Sequence, residues 1–99
     1  VLFEAVIDGQ SVGGCLIFRC NAACALAFYI CDDPEFRSVR VTDLLLFESS
    51  RWLKAQGHRY FDLGTVSFGA EVNWGLLRFK AKMAGLIQTR RRYEITLGG

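Results

Sequence analysis

The chain of 99 residues has one proline, one histidine and one methionine, and it has no long apolar run. The longest such run, Ala22 to Cys31, is about half of the roughly 20 residues that a membrane helix needs, so the sequence predicts no membrane span. The opening segment VLFEAVID has no basic region and no small-residue cleavage site. A secretory signal peptide is therefore not expected.

Motifs for metal binding and nucleophilic catalysis are also missing. The four cysteines, at positions 15, 20, 24 and 31, form no CxxC pair, and the only histidine, His58, is far from them in sequence. A zinc or other metal site is therefore not predicted. The preferred interpretation is four reduced thiols in a cytoplasmic protein, with pairing of Cys20 and Cys24 under oxidation as the alternative. Glycine-rich phosphate loops and a recognisable nucleophile motif are absent too.

Apolar surface is plentiful, and charge is unevenly divided. Hydrophobic residues make up 52% of the chain and aromatic residues 13%, which excludes disorder and fits one compact domain over residues 1–99. Residues 1–50 carry three bases and seven acids, whereas residues 51–99 carry nine bases and three acids. The basic half is expected to face an anion such as a phosphate, a carboxylate or RNA. The alternative is that these bases keep a sheet edge soluble.

The hydrophobic pattern predicts an α/β (α+β) fold, a mixed sheet in the order β-β-β-α-β-α-β. The predicted strands are residues 2–7, 11–19, 24–31, 60–63 and 86–97, and the predicted helices are residues 39–55 and 74–84. The third strand is apolar throughout, which is typical of a central strand covered on both faces. Residues 65–73 are expected to form a loop.

Local signals mark the turns and the helix ends. Asp8-Gly9 is typical of a tight hairpin turn, and Gly13-Gly14 indicates a bulge or a close approach of the backbone. Ser38 or Thr42 is expected to cap the first helix, and Gly57 and Gly85 are expected to end the two helices. Strands joined through helices are commonly parallel, so a ligand is expected at the carboxyl ends of the third and fourth strands.

Lys80 is the first candidate for a chemical role. Its neighbours three and four positions away on the predicted helix are all apolar: Leu76, Leu77, Met83 and Ala84. A charge that leaves a helix from its buried face is costly unless it is paired or used. The alternative is that the Lys80 side chain runs along the edge of the core and reaches water at its tip.

Asp62 and Arg91 are further candidates. Asp62 interrupts an apolar strand at its carboxyl end and is expected to lie beside the second helix, as a catalytic partner of Lys80. It could equally cap the following loop or form a structural ion pair with Lys80 or Arg78. Arg91 falls in phase with the apolar residues of the last strand, so it could bind an anion, although an exposed edge position is the alternative.

Two short motifs carry a family resemblance. The segment Phe61-Asp62-Leu63-Gly64, followed by Gly75-Leu76-Leu77-Arg78-Phe79-Lys80, resembles the "DxG … GL..FK" signature of the Fem-type peptidyltransferases. That group belongs to the GNAT-like acyltransferase superfamily. The hairpin through Asp8-Gly9 and the helix before Gly57 are also similar to this group. The resemblance covers nearly the whole chain and implies a GNAT-like half-domain that lacks the N-terminal part of the family fold.

The resemblance implies an acyl- or aminoacyltransferase in which Lys80 stabilises the negative charge that develops during transfer. Catalytic residues would be Lys80 and Asp62, and substrate-binding residues would be Phe79, Arg78, Arg37, Arg40 and Arg91. The implied donor is acyl-CoA or aminoacyl-tRNA. Residues 32–40, where CoA phosphates would bind, contain no glycine and open with acids, which argues against CoA.

An incomplete GNAT-like fold would expose a sheet edge and an apolar face. The sequence therefore predicts a homodimer with an anionic small molecule or aminoacyl-tRNA as ligand and no membrane partner. The alternative function is a truncated, non-catalytic relative that acts as a dimeric binding or assembly module. A role in binding nucleic acid is the third possibility.

Overall fold

A computed structural model describes residues 1–68, 71–83, 86–89 and 91–98 of the chain. The chain forms two compact units, Val1–Thr65 and Val66–Gly99. None of the described helices is long and apolar enough to cross a membrane.

The first unit is a four-stranded sheet with a helix on one face. Its strands are β1 (Leu2–Ile7), β2 (Gln10–Arg19), β3 (Cys24–Asp32) and β4 (Tyr60–Asp62), in the order β1-β2-β3-β4. The first two pairings are antiparallel and the β3–β4 pairing is parallel, as expected for strands joined through a helix. A short 3-10 helix (Pro34–Val39) and helix α1 (Val41–Ala55) connect β3 to β4.

Alternation along the strands sends one set of apolar residues towards α1. Buried residues of the sheet pack against buried residues of the helix in a single cluster: Val12, Cys15, Ile17, Ala25, Ala27, Val41, Leu45 and Leu53. The buried hydroxyl of Ser49 donates a hydrogen bond of 2.6 Å to the Leu45 carbonyl, so this polar group is satisfied inside the core. Burial of one face of the sheet against one helix thus sets the architecture.

The turn and helix-end predictions that depend on φ are confirmed. Asp8 and Gly9 both have positive φ, 50° and 79°, which is the backbone of the hairpin turn between β1 and β2. Gly57 has φ 92° just beyond the end of α1. Gly85, the predicted end of the second helix, lies outside the described residues.

The predicted caps of the first helix are wrong, although α1 begins at Val41, close to the predicted start at about residue 39. Asp33 accepts a hydrogen bond from the Glu35 N–H (3.0 Å) and begins the 3-10 helix, which places Ser38 inside that helix. Arg40, with φ 58°, is the residue before α1 and makes no side-chain capping bond, and Thr42 lies within α1. A capping acid followed by Pro34 starts a helical turn earlier than the apolar periodicity indicates.

The prediction that β3 is covered on both faces is also wrong. Phe28 and Tyr29 are 57% and 62% exposed. The β2–β3 register shifts between Leu16 and Ile17, where Phe28 is the extra residue, so the alternation changes phase at this point. Residues on the face opposite α1 therefore remain exposed although the strand has no charged side chain before Asp32.

The described residues of the second unit form one helix and one short antiparallel pair of strands. Strands β5 (Ser67–Phe68) and β6 (Glu71–Val72) pair antiparallel within residues 65–73, which were predicted to be a loop. Strands of two residues are shorter than the runs that alternation can identify. Helix α2 (Trp74–Met83) begins where predicted, and the Leu76 N–H donates to the Asn73 side chain at its start (3.1 Å).

The predicted last strand is wrong for the residues that the structure describes. Residues 86–89 and 91–98 have no regular secondary structure, and Ile95 and Leu97 are 85% and 90% exposed. β-Branched and aromatic residues form a strand only where a neighbouring strand and a covering layer are available. The alternation of side chains alone therefore predicts a strand that residues 86–89 and 91–98 do not form.

Candidate functional site

An open cavity of about 460 Å³ lies at the end of β3, on the first unit. We call it the acidic cavity; it is lined by Leu2, Glu4, Ser11, Val12, Gly13, Gly14, Cys31, Asp32 and Asp33. The pairing of the strands assembles it, because Glu4 is opposite Gly14 and Gly14 is opposite Cys31. Three carboxylates and no basic side chain line this cavity, so it favours a cationic ligand.

Gly13 brings the floor of the acidic cavity against the start of α1. A Cβ atom at this position would lie 2.7 Å from Val41 Cγ1 and 2.9 Å from the Cys31 carbonyl oxygen. Only glycine permits this approach, so the close backbone approach predicted at Gly13-Gly14 is confirmed at Gly13. The predicted bulge lies beside it, because the β1–β2 register shifts between Ala5 and Val6.

The acids near the end of β3 have local partners. The Asp33 backbone N–H donates to the Val12 carbonyl (2.8 Å), which fixes the chain where it leaves the sheet. Asp32 forms an exposed ion pair with Arg37 (3.5 Å) and Asp43 forms one with Arg40 (2.7 Å). Arg37 and Arg40, two of the four arginines predicted to bind substrate, are therefore partly neutralised by carboxylates. Each pair contributes about 0–1 kcal/mol, so the arginine can exchange its partner for another anion.

Two cysteines near this cavity differ in their surroundings. Cys15 is fully buried under α1, and burial, with a smaller effect of Cys31, raises the pKa of the Cys15 thiol. Cys31 lines the cavity and is exposed. Cys20 and Cys24, the predicted candidates for oxidation, are free thiols.

Asp62 lies at the end of β4, where the sequence places it. The Gly64 N–H donates to Asp62 Oδ1 (2.8 Å), and Gly64 has φ 86°. Asp62 therefore caps the turn after β4, which is one of the alternatives that the sequence left open. Asp62 belongs to the first unit and Lys80 to the second, so their pairing stays a prediction.

Lys80 is half-buried on α2, together with Leu76, Leu77 and Phe79. The neighbouring bases Arg78 and Lys82 are exposed, and the Lys82 ammonium lies 5.9 Å from the centre of the Phe79 ring. Lys80 is thus less exposed than the other cations of its helix. Arg91 is exposed in a segment without strand structure, so the alternation that placed it on an apolar face is wrong; Arg90 lies outside the described residues.

Among the predicted site residues, Arg37 and Arg40 lie close together at the start of α1 and near the acidic cavity. Cys31 lies at the carboxyl end of the third strand, where a ligand is expected, whereas Glu4 was not predicted because its place in the cavity follows from strand register and not from local sequence. The signal that could have found Glu4 is the Asp8-Gly9 turn, since a two-residue turn sets which residues of β1 and β2 face each other.

The model of the acetyltransferase (GNAT) domain family matches residues 1–81. The chain belongs to this family. The predicted GNAT-like fold is therefore confirmed, whereas the Fem-type subgroup stays a prediction. No curated protein sequence is significantly similar to this GNAT chain.

Solved structures with the same fold are aminoglycoside acetyltransferases. One from an uncultured soil metagenomic sample, in complex with sisomicin, is 12% identical, with a TM-score of 0.73 over 98% of this chain and 65% of that one. A second from such a sample is 13% identical, with a TM-score of 0.74 over 98% and 65%. The enzyme AAC(6')-Iy in complex with CoA is 19% identical, with a TM-score of 0.65 over 97% and 74%. The GNAT chain thus spans about two-thirds of the length of these proteins.

Proposed function

We propose that this GNAT domain transfers an acyl group to an amine of a cationic acceptor, which binds in the acidic cavity. The observation that carries the proposal is the set of three carboxylates, Glu4, Asp32 and Asp33, around one cavity at the carboxyl end of β3. Ligands of sheets with parallel strands commonly bind at this edge. Structurally similar proteins are aminoglycoside acetyltransferases, one of them an N-acetyltransferase, and this supports an amine as the acceptor.

The start of α1 supports acyl-CoA as the donor. Arg40 makes no side-chain capping bond to α1, so the first-turn N–H groups are not occupied by a cap and can bind an anion. These N–H groups, with Arg37 and Arg40, would hold the phosphates of the donor. Asp32 and Asp33, the acids that argued against CoA in the sequence, line the acidic cavity and in this proposal bind the acceptor. A bound acyl-CoA supplies the acyl group as a thioester.

The residues of the chain would do the remaining work. The carboxylates of the acidic cavity bind the ammonium groups of the acceptor, and one of them accepts a proton from the ammonium that is to react, which gives a neutral amine. As the amine nitrogen bonds to the acyl carbon, the carbon–sulfur bond breaks, and the second proton that the nitrogen loses goes to the departing sulfur, which leaves as the thiol. Lys80 is the proposed group that stabilises the negative charge on the carbonyl oxygen during transfer. An aminoacyl-tRNA donor is the alternative that the Fem-type motif suggests.

The test is an acyl-transfer assay read by mass spectrometry of the product. Acetyl-CoA is the donor, and sisomicin, spermidine and a neutral sugar are compared as acceptors. We expect turnover with the two cationic amines only. The double variant Glu4→Gln, Asp32→Asn should lower kcat/KM by at least about tenfold, since a hydrogen bond to a charged group contributes about 1.5–3 kcal/mol. Asp8→Asn, in the hairpin turn, is the matched control and should leave kcat/KM unchanged.

The same assay tests Lys80. Lys80→Met should lower kcat by about 100-fold or more if the ammonium stabilises the developing charge, and it should leave the binding of acetyl-CoA unchanged. Lys82→Met, on the exposed side of α2, is the control. Equal kcat values for the two variants would contradict the role of Lys80. Transfer from aminoacyl-tRNA but not from acetyl-CoA would identify aminoacyl-tRNA as the donor and contradict acyl-CoA.

An exposed apolar surface supports a second candidate, a dimeric assembly module. Phe18 and Phe28 stack with ring centres 4.5 Å apart, and both are about half exposed on the face of the sheet opposite α1. A second copy of this chain is the proposed occupant, because a flat aromatic pair can stack on its own symmetry mate in a two-fold interface. Light scattering of the wild type and of the double variant Phe18→Ser, Phe28→Ser tests it, and a monomeric wild type would contradict it.

A further inference from the structure

A second cavity, of about 390 Å³, lies at the C-terminal end of α1. We call it the basic cavity; its lining includes Ser50, Lys54, His58, Arg59 and Tyr60. Lys54 and Arg59 bring two positive charges, and no carboxylate lines this cavity. The proposed acyl transfer uses none of these residues.

His58 occupies a position that normally holds an apolar side chain. The Gly57 N–H donates to the Lys54 carbonyl (3.1 Å) and the His58 N–H donates to the Leu53 carbonyl (3.0 Å), which are the two bonds of the Schellman motif that ends α1. In this motif the residue after glycine commonly packs an apolar side chain against the last turn of the helix. The backbone therefore holds the His58 side chain beside Leu53.

The imidazole of His58 is buried without a hydrogen-bond partner. His58 is 9% exposed, and neither Nδ1 nor Nε2 of its ring has a hydrogen-bond partner among the described residues. Buried polar groups in proteins are nearly always hydrogen-bonded, because an unmade bond on a desolvated group is costly. A leucine would fill this position without that cost, so the presence of histidine points to a ligand at the cavity it lines.

We propose that the basic cavity binds a small molecule through its phosphate group. His58 donates a hydrogen bond to a phosphate oxygen, and Lys54 and Arg59 neutralise its charge. The cavity is larger than a phosphate, and the exposed ring of Tyr60, with the Arg59 guanidinium 6.0 Å from its centre, offers a contact surface for an organic group. From Val41, which lies beside Gly13 of the acidic cavity, to Leu53 of the basic cavity the helix rises about 18 Å, so this is a separate site.

The single histidine makes the test direct. The imidazole signals of His58 are the only ones in an NMR spectrum of the chain, and they are followed during titration with inorganic phosphate, glucose 6-phosphate and sodium acetate at constant ionic strength. We expect a saturable shift with the two phosphates. Tighter binding of glucose 6-phosphate identifies a phosphomonoester as the ligand, whereas equal binding identifies free phosphate. No shift, or an equal response to acetate, would overturn the proposal.

Variants separate binding from a purely structural role of His58. The double variant Lys54→Gln, Arg59→Gln should weaken phosphate binding at least tenfold, while Arg51→Gln, on the same helix but outside the cavity lining, should not change it. His58→Leu should unfold at a higher temperature than the wild type and should lose the rise in Tm that phosphate causes. A rise in Tm with phosphate that persists in His58→Leu would show that the phosphate binds elsewhere.

Discussion

The acidic cavity and the basic cavity lie at opposite ends of the same helix and carry opposite charge. Glu4, Asp32 and Asp33 line the cavity near the start of α1, whereas Lys54 and Arg59 line the one near its end. Lys54, in the last turn of α1, complements the helix dipole, which is negative at that end, and so stabilises α1 without a ligand. At the other end the acid of the first turn is Asp43, which does not line the acidic cavity. The dipole therefore accounts for Lys54 and not for the three carboxylates of the acidic cavity.

The two cavities also differ in their relation to the sheet. The acidic cavity lies where β3 ends, which is the edge where ligands of such sheets commonly bind. The basic cavity includes Tyr60 at the start of β4, which is the other edge. The position in the fold therefore supports the acidic cavity as a ligand site, whereas the unsatisfied His58 imidazole supports the basic cavity as one. Two independent kinds of observation point to two different ligands.

The largest effect that separates the cavities is expected from Gly13→Ala. The added Cβ would meet Val41 Cγ1 and the Cys31 carbonyl oxygen at less than 3.0 Å, so α1 or the end of β3 must shift. Such overpacking destabilises by about 1–3 kcal/mol, which chemical denaturation would measure. Acyl transfer to spermidine should also fall, while phosphate binding at the basic cavity should be retained in the folded variant.

Gly14→Ala is the matched control for that experiment. A Cβ at Gly14 would lie 3.4 Å from the Phe3 carbonyl oxygen and 3.7 Å from the Leu2 side chain, which are ordinary contacts. We expect a change in unfolding free energy below about 1 kcal/mol. Equal destabilisation by the two substitutions would contradict the close approach of α1 to β2 at Gly13.

Features that depend on a few neighbouring residues could be predicted from the sequence, and those that depend on distant ones could not. Asp8-Gly9 and Gly57 determine their own backbone conformation, so the turn and the end of α1 were predicted correctly. Residues 86–97 have the alternation of a strand, but strand formation needs a partner strand that this pattern does not contain. The lining of the acidic cavity comes from three strands at once, so the place of Glu4 in it depends on strand register, whereas the expected ligand edge at the end of the third strand already includes Cys31.

Lys80 illustrates an intermediate case. Apolar neighbours three and four positions away predicted a side chain that leaves the helix from its covered side, and Lys80 is less exposed than Arg78 and Lys82. Its proposed action on an acyl group, however, depends on a bound ligand. Helical periodicity carries information about the face of a helix and none about the reaction beside it.

The smallest predicted effect concerns the thiol in the acidic cavity. Cys31 and Cys20 are both exposed, but only Cys31 lines the cavity, so spermidine should slow alkylation of Cys31 by iodoacetamide and leave Cys20 unchanged. At a spermidine concentration three times its Kd, about a quarter of the sites are free and the rate should fall about fourfold. Phosphate should have no such effect.

Cys15 provides the internal reference for this labelling. It is fully buried and its pKa is raised by burial, so both access and thiolate formation oppose alkylation in the folded protein. Because the unfolded chain forms this thiolate more readily, the raised pKa also predicts that stability falls as the pH rises above the ordinary pKa of cysteine. Protection of Cys15 without any spermidine effect on Cys31 would mean that the fold is correct and that the amine binds outside the acidic cavity.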